Sequence, residues 1–160
     1  MRDVELYRHL LDLRPPWLVT QVDLALPEQR VDVWVGHAEG VRFPCPQCGA
    51  QLPLYDHSEP RVWRHLGSCQ FQTYVHARIP RVRCTDHGVH QVEVPWALPY
   101  SRFTALFECM AIGALQETDI LGAARILRIS WDDAWSFMER AVDRGLRRKP
   151  NRVVPHLGGR

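Results

Sequence analysis

The sequence predicts an α+β protein: an N-terminal helix and β-hairpin, a small antiparallel sheet stapled by a metal ion, and a bundle of three helices. Apolar residues alternate along the sheet region and then recur at helical spacing from Ser101 onward. Two short motifs of metal-binding residues, each closed by a glycine, enclose the sheet region. A chain of 160 residues has room for one ordinary domain or two to three small modules, and the smallest of these need a staple such as a metal.

Residues 1–44 are predicted to form a helix and a hairpin that act as a scaffold. Between Asp3 and Leu13 the apolar residues recur at helical spacing, and Pro15 and Pro16 follow the end of the helix. Two alternating segments then predict strands joined by a turn at residues 27–30. The faces predicted to be apolar hold Leu18, Thr20, Val22, Leu24 and Leu26 on the first strand, and Val31, Val33 and Val35 on the second.

Two five-residue motifs, CPQCG at residues 45–49 and CTDHG at residues 84–88, predict one zinc site of the Cys₃His type. Each motif has two ligands three positions apart, a spacing that bends the chain around a tetrahedral ion, and then a glycine that can adopt the positive φ closing the turn. The predicted ligands are Cys45, Cys48, Cys84 and His87. Because four protein ligands leave no open position for water, we expect one structural zinc per chain.

Other histidines and cysteines near these motifs are weaker candidates. His90 could replace His87, but only His87 holds the place that matches Cys48 in the repeat. A set of reduced, buried thiols is the alternative interpretation, and it explains neither the shared spacing nor the two glycines. Cys109 lies among apolar residues and is predicted to be a small core residue. The neighbours that lack the motif spacing are His57, His65 and Cys69.

The segment between the motifs predicts a zinc ribbon over residues 45–94. Residues 61–66, 71–80 and 89–94 alternate as strands, and a linker at residues 95–100 follows. One face of the middle strand is predicted to hold Phe71, Thr73, Val75, Ala77 and Ile79, and the other Gln72, Tyr74, His76 and Arg78.

Two arginine-rich runs predict contact with a polyanion. Nineteen of the 20 basic residues are arginine, whose planar guanidinium suits phosphates and base edges. The run from Arg61 to Arg83 contains no acidic residue, and neither does the chain after Asp143. Either run alone is equally well explained as a solvated surface. The positions of the first run predicted to contact DNA are Arg61, Arg64, Arg78, Arg81 and Arg83.

Residues 101–148 are predicted to form three helices, at about 102–116, 118–127 and from residue 130 onward. The three-residue turn before the last helix is the helix-turn-helix pattern, whose final helix enters the major groove. Ser130 and Asp133 fit a capping box. The predicted buried stripe holds Ala134, Phe137, Met138, Ala141 and Val142. The predicted DNA contacts of this region are Trp131, Ser136, Arg140, Arg144, Arg147, Arg148 and Lys149.

Several of these motifs resemble bacterial insertion-sequence transposases of the ISL-three family. The similar segments include CPQCG at 45–49, WRHL at 63–66, CQFQT at 69–73, HARIPRV at 76–82, CTDHG at 84–88, VPWA at 94–97, SRFT at 101–104, AAR at 123–125, SWDDAW at 130–135 and MERAV at 138–142. The resemblance is close from about Cys45 to Leu146 and loose over the first 44 residues. It implies an N-terminal transposase region that recognises double-stranded DNA at the terminal inverted repeats of its element.

In that family, strand cutting belongs to a following RNase-H-like domain, whose acidic residues hold two divalent metals. Residues 149–160 are predicted to be a tail leading toward this domain, which we expect to be absent, so the chain alone is not expected to be an enzyme. It would then be a piece of a transposase or a truncated product that regulates or inhibits the full-length enzyme. A zinc-ribbon protein-interaction module is the alternative from another class, with interface candidates Trp34, Trp63 and Trp131.

Composition predicts a cytoplasmic protein, and the resemblance implies that it is bacterial and associated with the nucleoid. The five cysteines are an odd number, no apolar run approaches the roughly 20 residues that span a bilayer, and the N-terminus lacks a signal-peptide core. We expect no membrane partner. Besides DNA, the expected partners are full-length transposase or a second copy of this chain.

Overall fold

The computed structural model describes residues 3–148, which contain four helices and six strands. The chain divides into two compact units, Met1–Phe107 and Glu108–Arg160. The elements of the first unit are α1 Asp3–Leu10, β1 Trp17–Ala25, β2 Arg30–His37, β3 Arg42–Pro44, β4 Gln51–Ser68, β5 Phe71–Cys84 and β6 Gly88–Gln91. Helix α2, Ala105–Glu117, crosses the boundary, and α3 Ile120–Leu127 and α4 Trp131–Arg148 follow it. The predicted α+β class is confirmed.

One sheet contains all six strands, in the order β1-β2-β5-β4-β3, with β6 paired to β5. Most neighbouring strands are antiparallel, as predicted. The exception is the pair of β2 and β5, which run parallel from Arg30 beside Gln72 to Trp34 beside His76. The predicted N-terminal hairpin and the predicted ribbon therefore form one continuous sheet, joined by a contact between residues about 40 positions apart.

The core of the first unit lies on one face of this sheet and is covered by α1. The alternation predicted for β5 is confirmed, because Thr73, Val75, Ala77 and Ile79 are all buried. Trp96, from the segment predicted to be a linker, is 4 % exposed and lies in the same core. Its ring contacts those of Trp17 and Trp63 edge to face, at centroid distances of 5.1 and 5.6 Å.

The predicted apolar face of β1 is wrong at most of its positions. Val19 is buried, whereas the alternation placed Leu18 and the exposed Thr20 on the apolar face. Leu24 and Leu26, predicted for the same face, are 57 and 63 % exposed. The register against β2 shifts between Val19 and Gln21, so Thr20 is an extra residue that reverses the alternation. Val19 before the bulge and Val22 after it consequently pack against the same core.

Strand β4 is longer than predicted, because it starts at Gln51 and not near Arg61. Its pairing with β5 shifts register at three places, and Pro53 and Pro60 lie within it. Prolines and register shifts both interrupt the alternation from which a strand is predicted. They explain why its first ten residues were missed.

The helical unit buries Ala123, Ala124 and Leu127 on α3 and Ala134 and Phe137 on α4. Two predicted core positions are wrong, because Cys109 is exposed and Val142 is 54 % exposed. No helix among residues 3–148 is long and apolar enough to cross a membrane.

Candidate metal centre and nucleic-acid surface

The side chains of Cys45, Cys48, Cys84 and His87 come together, with their ligand atoms all within 4.8 Å of one another. The sulfur atoms of Cys48 and Cys84 are 3.8 Å apart, and Cys84 Sγ lies 3.5 Å from His87 Nδ1. Zinc bonds of about 2.3 Å to sulfur give a tetrahedral edge of about 3.8 Å. The cluster therefore has the size of a single tetrahedral site.

Two turns at strand ends position these ligands. The first turn joins β3 to β4, and within it the Gly49 N–H donates to the Cys45 carbonyl oxygen at 2.8 Å. The second turn joins Cys84, the last residue of β5, to Gly88, the first of β6. Both glycines have positive φ, +74° at Gly49 and +78° at Gly88. The conformation predicted from the two motifs is therefore confirmed at both turns.

Backbone hydrogen bonds favour thiolates at Cys45 and Cys84, whereas at Cys48 desolvation and the two neighbouring sulfurs outweigh the backbone hydrogen bond and raise the pKa. Donation from the N–H groups of Cys48 and Gln47 lowers the pKa of the Cys45 thiol to about 6. The N–H of Asp86 similarly lowers the pKa of Cys84, and the adjacent Cys84 sulfur raises the pKa of His87. Thiolates are the form of cysteine that binds metal, so these amides prepare the site for a cation. Three thiolates and one imidazole are a donor set that suits zinc and not magnesium or calcium.

The other candidate ligands lie elsewhere. His90 Nε2 is 2.6 Å from the backbone oxygen of His87, which can only accept, so this nitrogen donates a hydrogen bond away from the cluster. His57 stacks on His37, with 2.9 Å between their Nε2 atoms. His65 is buried, with its Nδ1 2.8 Å from the Thr104 hydroxyl, and Cys69 is exposed. None of them joins the four clustered side chains.

The five arginines predicted to contact DNA from the sheet do not share one surface. Arg61 pairs opposite the buried Ala77, whereas Arg64 pairs opposite Tyr74 on the other face of the sheet. The Arg61 guanidinium lies over the Trp63 ring at 4.8 Å and donates to the Ser101 carbonyl oxygen. Arg64 is 5.5 Å from the ring centres of both Tyr74 and Phe107. Both side chains are half-buried.

The remaining three sheet arginines differ in the kind of group that each guanidinium contacts. Arg81 forms a two-pronged ion pair with Asp56, so its charge is already compensated. Arg78 donates through Nε to the backbone oxygen of Ser58 at 3.1 Å. Arg83 lies over the Tyr55 ring at 4.1 Å. Arg78 and Arg83 are the exposed members of the set and carry no carboxylate partner among the described residues.

The two helices and the short turn predicted for a helix-turn-helix are present at α3 and α4. Asp119 caps α3 by accepting from the Gly122 N–H, and Arg128 ends it with φ of +54°. Ser130 then caps α4: its hydroxyl accepts from the Asp133 N–H at 3.1 Å and donates to the Asp133 carboxylate at 2.7 Å. The predicted cap is therefore confirmed, and it fixes where α4 begins.

Helix α4 carries its predicted DNA contacts on more than one side. Nine residues at about 100° each put Trp131 and Arg140 on opposite sides of the helix axis. Arg140 donates to the buried Glu108 carboxylate at 3.0 Å, and Arg147 pairs with Asp143 at 2.7 Å. The side that includes Arg140 also holds Ser136, Arg144 and Arg147. Arg148 lies on a third side, and Lys149 is outside the described residues.

Trp135 is the surface aromatic that the sequence reasoning missed. Its ring stacks on that of Trp131, with centroids 5.2 Å apart and planes 12° apart. The signal was available, because residues four positions apart on a helix are neighbours. By contrast, Trp63 is only 1 % exposed, so it is not available as the interface residue proposed from the sequence.

Comparison with known proteins finds two family models and two similar curated sequences. A model described as the zinc-finger of transposase IS204/IS1001/IS1096/IS1165 matches residues 42–87. A second, described as the helix-turn-helix domain of transposase family ISL3, matches residues 92–142. No solved structure matches the chain significantly.

The curated relatives are the transposases for insertion sequence element IS1557 from two strains of Mycobacterium tuberculosis, CDC 1551 / Oshkosh and ATCC 25618 / H37Rv. Each is 27 % identical to this chain over 156 residues, an alignment that covers 90 % of the chain. The chain spans 35 % of the length of each relative. Two models specific to one family together match more than half of the residues, and the chain therefore belongs to the ISL3 family of transposases through its zinc-finger and helix-turn-helix regions.

Proposed function

We propose that this chain binds double-stranded DNA at the terminal inverted repeats of an insertion sequence, as the DNA-recognition part of a transposase. The observation that carries the proposal is the pairing, in one chain, of a four-ligand metal cluster with a capped helix-turn-helix, in regions that both match ISL3 transposases. The chemistry assigned to this chain is binding, and strand cutting is not assigned to it.

The zinc proposed here is structural, with one ion per chain held by Cys45, Cys48, Cys84 and His87. A bound zinc would lock the β3-β4 and β5-β6 turns together and would leave no coordination position for water or substrate. Metal analysis of the purified chain should find one zinc, and Cys84→Ser should lose it together with the folded sheet. Cys69→Ser is the matched control, because Cys69 is exposed and lies outside the cluster. A Cys84→Ser protein that kept both metal and fold would contradict this assignment.

Two groups of side chains are proposed to contact phosphates. On the sheet, Arg78 and Arg83 are exposed and lack carboxylate partners among the described residues, which makes them stronger candidates than the ion-paired Arg81. The half-buried Arg61 and Arg64 are weaker candidates. On α4, the proposed contacts lie on the side that holds Ser136, Arg140, Arg144 and Arg147. Arg148 and Lys149 remain predicted contacts from the sequence, as does Trp131.

Binding to a labelled inverted-repeat duplex, measured against a scrambled duplex of equal length, tests the proposal. Affinity should fall steeply with salt, by orders of magnitude between about 50 and 200 mM if six or more phosphates are contacted. Arg83→Ala and Arg144→Ala should each reduce the salt slope by about one, because neither side chain is ion-paired with another described residue. Arg14→Ala is a matched control, because that side chain is 84 % exposed and is not a proposed contact. Weak, salt-insensitive binding without preference for the repeat would refute the proposal.

We further propose that the chain acts in the bacterial cytoplasm at the nucleoid. If it is produced without catalytic residues, it competes with the full-length transposase for the element's ends and acts as a regulator or inhibitor. Mixing the two proteins in a strand-cutting assay tests this: inhibition that parallels occupancy of the repeats supports it, and unchanged cutting at full occupancy contradicts it.

A further inference from the structure

One face of the sheet is turned away from the core and carries aromatic rings beside arginines. Val33, Trp63 and Val75 are paired neighbours on β2, β4 and β5, and all three are buried in the core. Because successive side chains of a strand point to opposite faces, the residues that alternate with them lie on the other face of the sheet. We name five of these half-buried residues the Trp34 face: Arg30, Trp34, Arg64, Tyr74 and His76.

Trp34 and His76 form a stacked pair on neighbouring strands of this face. Their ring centroids are 4.8 Å apart, and the ring planes differ by 15°. His76 Nε2 donates to Asp32 Oδ1 at 2.5 Å, and this hydrogen bond holds the imidazole against the indole. Among the described residues Trp34 stacks on no second ring, so only one side of the indole is used for stacking.

Tyr74 is the second aromatic centre of the face, and it contacts guanidinium groups from the strands on either side of β5. Arg30 Cζ is 4.2 Å from the centroid of the Tyr74 ring, and Arg64 Cζ is 5.5 Å from it. Arg30 also donates to both carboxylate oxygens of Asp32, at 2.7 and 2.6 Å, so its charge is compensated. Arg64 has no carboxylate partner among the described residues, so its charge is not compensated.

The charges over β5 and β4 suit a polyanion. Arg78, two residues beyond His76 on the same side of β5, is exposed and, like Arg64, has no carboxylate partner in the part of the chain that the structure describes. The acidic residue Asp23 lies opposite Asp32 on β1 and borders the face there. A polyanion is therefore favoured over β5 and β4 and disfavoured over β1.

We propose that the Trp34 face binds single-stranded DNA through its bases. Unpaired bases would stack on Trp34 and on the Arg30 guanidinium that covers Tyr74, while Arg64 and Arg78 would lie against the phosphates. Aromatic rings and arginines on a sheet are a surface on which the bases of single strands stack, whereas the bases of a duplex are already stacked on one another. This goes beyond the proposed function, which concerns duplex ends, and rests on that function only for the choice of DNA over RNA.

Two labelled strands of about twelve nucleotides test the proposal on the full zinc-loaded chain. One strand is oligothymidylate, and the other is an abasic strand with the same number of phosphates and no bases. Fluorescence anisotropy should show oligothymidylate binding about tenfold or more tighter, because stacking requires the bases. Equal binding of the two strands would reduce the face to a phosphate contact and overturn the proposal. Tighter binding of oligouridylate of the same length would overturn the assignment to DNA.

Substitutions of Trp34 locate the binding site. Trp34→Leu should weaken oligothymidylate binding at least about fivefold, while binding of the abasic strand stays unchanged. Trp34→Phe should retain most of the affinity, because phenylalanine keeps a ring for stacking. Tyr100→Ala is the matched control, because Tyr100 is a 96 % exposed aromatic residue outside the strands. No loss in Trp34→Leu, or an equal loss in Tyr100→Ala, would overturn the proposal.

Binding to the inverted-repeat duplex distinguishes failure of this proposal from failure of the proposed function. Trp34→Leu should leave the affinity for the duplex unchanged, which also shows that the variant is folded. A chain that prefers oligothymidylate to the abasic strand and does not bind the repeat would contradict the proposed function alone. A chain that binds the repeat and does not distinguish the two single strands would overturn this proposal alone. Parallel loss of both affinities in Trp34→Leu would overturn it as well.

Discussion

Replacing Gly88 by alanine should weaken zinc binding by a predictable amount. The residue has φ of +78°, and a Cβ built on it meets no atom within 4 Å. The whole cost is therefore conformational, and a left-handed backbone costs an ordinary L-residue about 1–2 kcal/mol. Since about 1.4 kcal/mol corresponds to a factor of ten, zinc affinity should fall roughly 5- to 30-fold. Gly49→Ala should behave alike, because Gly49 has φ of +74° and the same open space.

Competition with a chromophoric chelator measures this loss directly. Gly88→Asn should retain more affinity than Gly88→Ala, because asparagine tolerates the left-handed region better. Gly113→Ala is the control: this glycine lies in α2 without positive φ and with open space around its Cβ position, so alanine should leave zinc affinity unchanged. Unchanged affinity in Gly88→Ala would show that the turn does not need the positive φ. A loss of a thousandfold or more would show a clash that the open space excludes.

Three further predictions concern stability. Burial lowers the pKa of His65 to about 4, so the unfolded chain binds a proton below about pH 6.5 that the folded chain binds only below about pH 4. The wild-type protein should therefore lose stability relative to His65→Gln as the pH falls through this window. Urea titrations at the lower end of the window should show a loss of roughly 3 kcal/mol. Ser130→Ala should destabilise the helical unit by about 1 kcal/mol through loss of the α4 cap, seen by thermal melting, while zinc affinity stays unchanged. Trp96→Ala should cost about 3–5 kcal/mol in denaturant unfolding of the sheet unit, and a cost below about 1 kcal/mol would show that its ring contacts do not hold the core.

Local chemistry made the metal cluster and the α4 cap predictable from the sequence. The spacing of Cys45 and Cys48, and the glycines that follow each motif, depend only on the few residues of one turn. The Ser130 cap likewise involves one helical turn. Such features can be predicted without knowing which distant residues are in contact, and the structure contains both of them.

Features that depend on distant contacts were not predictable in the same way. The bulge at Thr20 results from the register of β1 against β2, and no residue type at this position predicts it. The parallel pairing of β2 with β5 joins segments separated by a whole hairpin. The sequence also groups Arg140 and Trp131 by chemistry, whereas the helix turns the two side chains in opposite directions.

The parallel pair of β2 and β5 has a consequence for anyone who isolates the zinc finger. A fragment cut near residue 42 would keep all four metal ligands but remove β2, leaving Gln72–His76 of β5 as an open edge. Unpaired strand edges recruit strands from other molecules. Such a fragment should bind zinc and still aggregate, and restoring residues 3–41 should keep it in solution.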